Sequence, residues 1–163
     1  MKRLAIAFTG PSNSGKTTLI EKLSKELSQN YKIAIIKHDP KDKAIFDREG
    51  KDSDRFFKSG ADVAVISNKR TTIFKHTTST IEEIAKCFGD FDFLFVEGLK
   101  TLPLPRIAVF RGSIDESYFP YIQAVAIDNS INKDSLKGLN LTILDLNNIS
   151  EIIEYVKTHA KRI

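Results

Sequence analysis

The sequence predicts an α/β fold of three layers, a mostly parallel central sheet flanked by helices. Three observations carry that expectation. Apolar runs of strand length recur at residues 4–9, 32–37, 91–98, 107–110, 121–127 and 139–146. Several are separated by segments whose apolar residues fall at helical spacing. No internal repeat, low-complexity tract or linker interrupts the alternation, so residues 1–163 read as a single domain.

The first run, 4–9, leads straight into Gly10, Pro11, Ser12, Asn13, Ser14, Gly15, Lys16 and Thr17, which fit the pattern G-x-x-x-x-G-K-[ST]. Leu19, Ile20, Leu23 and Leu27 then recur at helical spacing, with Glu21 and Lys25 set four apart on that helix. A strand, a glycine loop and a helix start are the context the pattern requires. The glycines let the backbone curl around a phosphate, and the helix start adds free N–H groups and a positive dipole end. Lys16 is expected to reach the β- and γ-phosphates, and the Thr17 hydroxyl to hold Mg²⁺. The chain is therefore expected to be a P-loop nucleotide-binding domain of the NTPase type.

Asn30 offers a left-handed cap to this helix, and residues 32–37 form a second, mostly apolar strand expected near the sheet centre. From His38 to about Asp54 periodicity disappears; residues 37–58 hold seven Lys/Arg and six Asp/Glu. A loop of that length beyond a strand's carboxyl end is expected to hang over the ligand. Asp52 or Ser53 is a cap for a short helix through Phe56 and Phe57 that ends at Gly60. Residues 62–67 and 71–75 read as strands joined by a turn at 68–70. Ser79 or Thr80 opens a helix containing Cys87, closed by Gly89. Ile149, Ile152, Ile153 and Val156 mark a closing helix.

Composition narrows the function. The net charge of +4 is modest and scattered, and no aromatic residues interleave with a basic cluster, so nucleic acid is not expected as a partner. No stretch has the apolar length of a membrane span. The single cysteine, Cys87, excludes an internal disulfide and reads as a small buried hydrophobe. With no signal peptide apparent behind the basic start, the expected location is cytoplasmic.

Outside the loop, Glu97 is the second anchor. A carboxylate at the end of a buried strand stands where such folds orient Mg²⁺ or water, and Gly98 allows close backbone approach. The plainer alternative pairs Glu97 with Lys100. Asp92, at the other end of the same strand, reads as a turn residue. Lys37 and His38 end the second strand and so point toward the γ-phosphate; for His38 a structural role stays equally open. Arg111 is either an anion contact or a solvated side chain. His76 and His159 have no metal-like spacing.

Several stretches together carry a resemblance: Gly10 to Thr18, Lys37-His38, Gly50-Lys51-Asp52-Ser53, Gly60-Ala61, Val96-Glu97-Gly98 with Lys100, and Pro105 with Ile107 and Arg111. The chain resembles the MobB family, adapter proteins of molybdopterin-guanine dinucleotide cofactor biosynthesis, over roughly residues 3–111. The resemblance implies GTP and Mg²⁺ as cofactors, weak GTPase activity at most, a homodimer, and action with the guanylyltransferase MobA and with molybdopterin. It also implies that Gly10, Gly15, Lys16, Thr17 and Thr18 hold phosphates and metal, while Lys37, Asp52 and Glu97 face the γ-phosphate or metal. Two departures stand out. Asp39-Pro40-Lys41 follows His38 where the family carries further histidines, and no N-K-x-D guanine signature closes a strand.

Two competing functions keep the same loop. A small-molecule kinase needs an arginine-rich lid, whereas the arginines here are dispersed. A metal-insertion GTPase needs a ligand cluster, which one cysteine and three scattered histidines do not supply.

Overall fold

The apolar run at residues 4–9 becomes the strand around which the main sheet is built. In the computed structural model, which describes residues 2–163, β1 (Leu4–Thr9) lies between β5 (Phe93–Glu97) and β6 (Arg106–Phe110). Outward from these follow β2 (Ile33–Lys37) on one side, and β7 (Ala124–Ile127) and β8 (Thr142–Asp145) on the other, every pair parallel. A short β9 (Lys161–Arg162) adds antiparallel to Leu4 and Ala5, below the point where β6 joins β1 at Ala7. The expected fold class holds: a mostly parallel sheet with helices packed on it.

Strands buried on both faces read as continuous apolar runs, and β1, β5, β6 and β7 do. Leu19, Ile20, Leu23 and Leu27 of α1 (Lys16–Leu27) join Ile152, Ile153, Tyr155 and Val156 of α4 (Ile149–His159). Together they cover Ile6, Phe8, Phe93, Phe95, Ile107 and Val109, with Phe8 and Phe95 edge to face at 5.4 Å. Alternate residues point to the other face. There Ala108, Phe110, Val125 and Ile127 pack with Ile122, Ile131 and Leu136, which belong to or flank the 3₁₀ turns Glu116–Tyr121 and Lys133–Leu136.

The chain divides into two compact units, the stretch up to His38 with Ala85–Ile163, and Asp39–Ile84. The second unit holds α2 (Asp52–Lys58) and an antiparallel hairpin of β3 (Val63–Ile66) and β4 (Thr71–Phe74). Phe57 stacks on His76 at 3.9 Å and tilts onto Phe74, and His76 Nε2 lies 3.0 Å from the Phe57 carbonyl oxygen. That makes His76 a packing residue. Phe56 on the same helix is exposed, as are Ile66 and Ile73 of the hairpin.

Several local expectations are corrected. β2 is an edge strand, with Ile35 exposed; its apolar composition reports sheet membership but not position. Asn30 is not left-handed, because α1 ends at Leu27 with Ser28 as an ordinary right-handed cap. Glu21 and Lys25 close no ion pair among those formed by the described residues. Neither Asp52 nor Ser53 caps α2: Lys51 is the N-cap, and the Asp54 carboxylate accepts the Gly50 N–H at 2.8 Å. α3 (Ile81–Cys87) opens with a capping box in which Thr80 and Glu83 each accept the other's N–H. Cys87, at its end, is exposed; Ala85 is the buried residue. No helix among the described residues is long and apolar enough to cross a membrane.

Candidate functional site

β1 delivers its carboxyl end into a loop whose backbone only glycine tolerates at its first position. Gly10 has φ 134°, and a Cβ there would collide with the Val109 carbonyl oxygen of β6. Asn13 (φ 62°) and Gly15 (φ 96°) keep the chain curling until α1 begins at Lys16. Gly15, the N-cap, supplies no side chain, and α1 has no acid in its first turn. Its leading amides therefore have no side-chain acceptor, which is the condition for anion binding at a helix start.

Two polar groups inside the curl matter. Ser14 Oγ is buried with no hydrogen-bond partner among the described residues, an arrangement that normally costs free energy. Lys16 Nζ folds back and donates to the Pro11 carbonyl at 2.6 Å. Burial pushes the Lys16 ammonium below its ordinary pKa; the charge of Glu97 opposes that shift and Lys37 adds to it. Thr17 and Thr18 lie exposed on the first turn, and Ser12 and Asn13 are exposed in the loop.

Glu97 and Lys37 stand opposite each other in the β2–β5 register and pair at 3.6 Å, the carboxylate mostly sheltered and the amine mostly exposed. Glu97 is thus paired with Lys37; Lys100 instead lies over the rings of Tyr118 and Tyr121. His38 donates its backbone N–H to the Glu97 carbonyl at 3.0 Å and rests against Gly98, where an added Cβ would come within 3.1 Å of the His38 Cβ. Asp92 accepts the backbone N–H groups of Lys32 and Lys2 at the far end of the sheet, as a turn residue does. Asp52 lies in the other unit, exposed on the first turn of α2.

On the opposite side of the loop, the ends of β6, β7 and β8 converge. Arg111 Nε pairs with Asp128 at 2.8 Å, and its guanidinium borders Gly15. Gly15, Thr18, Leu19, Lys22, Arg111, Leu146 and Asn147 line one groove. Asp128 reads in sequence as the end of a strand, and its pairing with Arg111 shows only in the fold. Arg106 is fully buried, although it reads in sequence only as a charge before an apolar strand.

Comparison with known proteins shows what the chain as a whole is similar to. Residues 5–128 match the family model for MobB, molybdopterin guanine dinucleotide synthesis protein B. A molybdopterin-guanine dinucleotide biosynthesis adapter protein of Haemophilus influenzae is 33% identical, over 93% of this chain and 86% of its own. The adapter protein of the same description from Escherichia coli K12 is 29% identical, over 93% of this chain and 90% of its own. In fold, the chain is similar to the crystal structure of Bacillus subtilis MobB, with a TM-score of 0.77 at 22% identity, covering 97% of this chain and 98% of that one.

Proposed function

This chain belongs to the MobB family, and from that premise we propose that it serves molybdopterin guanine dinucleotide biosynthesis as an adapter controlled by GTP and Mg²⁺. The observation that carries the nucleotide part is the cradle at Gly10–Thr18. A buried Ser14 hydroxyl without a partner, uncapped helix amides and a lysine turned back onto its own loop are together what a phosphate chain satisfies.

In this reading Gly10, Ser12, Asn13, Ser14 and Gly15 wrap the phosphates. Lys16 leaves the Pro11 carbonyl to neutralise the outer phosphates. The Thr17 hydroxyl and the Glu97 carboxylate are the oxygen donors for Mg²⁺, with Thr18, Lys37 and His38 completing the γ-phosphate surroundings. Among the described residues no group of three or more His, Cys, Asp or Glu gathers. That suits Mg²⁺, which keeps waters and phosphate oxygens and needs few protein ligands. When bound, the ion would neutralise charge developing on the phosphates. Glu97 would orient a water for slow hydrolysis.

The preference for GTP, the partnership with a MobA-like guanylyltransferase and with molybdopterin, the homodimer and the cytoplasmic setting come from the family. The deciding experiment is calorimetric titration of GTP and ATP, each with Mg²⁺, into the protein and into Lys16→Ala. Binding of GTP above ATP, abolished in the variant, is the expected result. Preference for ATP would turn the reading toward a kinase, and no binding of either would end it.

A further inference from the structure

We propose that Arg106 is the positioning residue for Glu97 and His38, acting from inside the core by clamping the turn that follows β5. The proposal rests on the reading of Glu97 as the carboxylate on the metal side of the nucleotide.

Arg106 opens β6 in register with Ala7 of β1, while the next β1 residue, Phe8, faces Glu97 of β5. The side chain is fully buried, yet it forms no ion pair among the described residues. A buried cation without a carboxylate is expensive unless its protons are taken up by oriented acceptors. Here carbonyls of a single turn take up three of them, while Nε is buried without a hydrogen-bond partner among the described residues. Nη1 donates to the Gly98 oxygen at 2.7 Å, and Nη2 to Leu99 at 2.8 Å and Leu102 at 3.0 Å. The Arg106 backbone N–H is itself fixed by the Gln123 side chain at 2.9 Å.

Within the turn the Leu102 N–H donates to the Leu99 carbonyl at 2.9 Å, so Arg106 adds to one internal bond across a strained stretch. Gly98 and Leu99 both have positive φ, 91° and 48°, and leucine seldom adopts that conformation. The turn is continuous with the end of β5 that carries Glu97 and against which His38 lies. The Gly98 N–H donates to the Phe8 carbonyl at 2.9 Å, the His38 N–H to the Glu97 carbonyl at 3.0 Å, and the Gly98 Cα is the surface on which His38 rests. Releasing three carbonyls from one guanidinium would let Glu97 and His38 shift while the P-loop, on β1, stays in place. The geometry is that of a spacer: one planar group fixes the distance from the β6 start to the turn beside the carboxylate.

The test uses Arg106→Met, which keeps the apolar stem and removes the donors, Arg106→Lys, which keeps the charge, and Glu97→Gln. Two quantities are read: amide exchange at Gly98 and His38 without nucleotide, and the ratio of GTP affinity with Mg²⁺ to that without. Arg106→Met should exchange both amides roughly tenfold faster while Leu94 and Val96 stay protected. Its Mg²⁺ enhancement should fall to the Glu97→Gln level with Mg²⁺-free affinity kept, and Arg106→Lys should recover most of both. Wild-type exchange in Arg106→Met, or loosened amides with the Mg²⁺ enhancement intact, would overturn the proposal. If Arg106→Met does not fold, Arg106→Lys reads the same two quantities, and wild-type values on both would count against the clamp. If the wild type binds no nucleotide, the functional reading fails, while the exchange data still decide whether Arg106 holds Gly98 and His38.

Discussion

Lys37 and Glu97 are register partners across the edge of the sheet and close an ion pair at 3.6 Å. The amine is largely in solvent, so the pair adds little to folding; exposed pairs of this kind are worth about 0–1 kcal/mol. Its consequence is positional, since it holds a charged lysine and a carboxylate at the mouth of the loop. Glu97→Gln is expected to melt within a few degrees of the wild type and to lose roughly tenfold in Mg²⁺-dependent GTP affinity. Titrations with and without Mg²⁺ check it; an unchanged Mg²⁺ effect would remove Glu97 from the metal side.

Gly10 tests the cradle from the backbone. Its φ of 134° is one that residues with a Cβ rarely adopt, and the added atom would meet the Val109 carbonyl oxygen. Strain of this kind costs about 1–3 kcal/mol, and in a chain of this size each kcal/mol lowers Tm by about 2–4 °C. Gly10→Ala should therefore show a lower Tm by thermal melting together with weakened GTP binding. A variant as stable as the wild type would mean that the loop relaxes away from β6 at no cost.

The Asp128–Arg111 pair makes a prediction in pH. The Ser130 hydroxyl and then its backbone N–H hold the Asp128 carboxyl below its ordinary pKa, burial opposes them, and the Arg111 charge and hydrogen bond pull the same way as Ser130. In the folded chain the group binds its proton more weakly than in the unfolded chain. Its contribution to stability is complete above the ordinary carboxylate pKa and is lost as pH falls through the depressed folded value. The Tm difference between wild type and Asp128→Asn should be constant from about pH 7 to 5 and shrink below about pH 4. A difference independent of pH would place the effect in packing instead of charge.

What the sequence made legible was what is local. Gly10 to Thr17 announces its strand, curl and helix within a few residues, and Glu97 at the end of an apolar run announces a strand-end carboxylate. Residues whose role depends on distant chain were opaque. Ile33 to Lys37 looks central by composition, but strand order is set by crossovers that composition does not encode. Cys87 sits on a helical stripe that turns out to end in solvent. Arg106 and Asp128 acquire meaning only when the turn after β5 and the end of β6 fold against them.

The hairpin of the second unit carries the last prediction. Val63 opposes Phe74 on the side where Phe57 packs, so Ala64 and Ile66, with Ile73 and Thr71 opposite them, form the other face. On that face Ile66 is 77% and Ile73 56% exposed. A two-stranded sheet is marginal by itself, and a bare isoleucine face favours association with another surface. For a homodimer, the double variant Ile66→Lys, Ile73→Lys places like charges on that face at little cost to the fold. Light scattering behind size exclusion should show the wild type at twice the chain mass and the variant at one chain mass, with GTP affinity unchanged. A variant that remains at twice the chain mass would move the interface elsewhere. A wild type at one chain mass across micromolar concentrations would mean that the exposed face does not dimerise the chain.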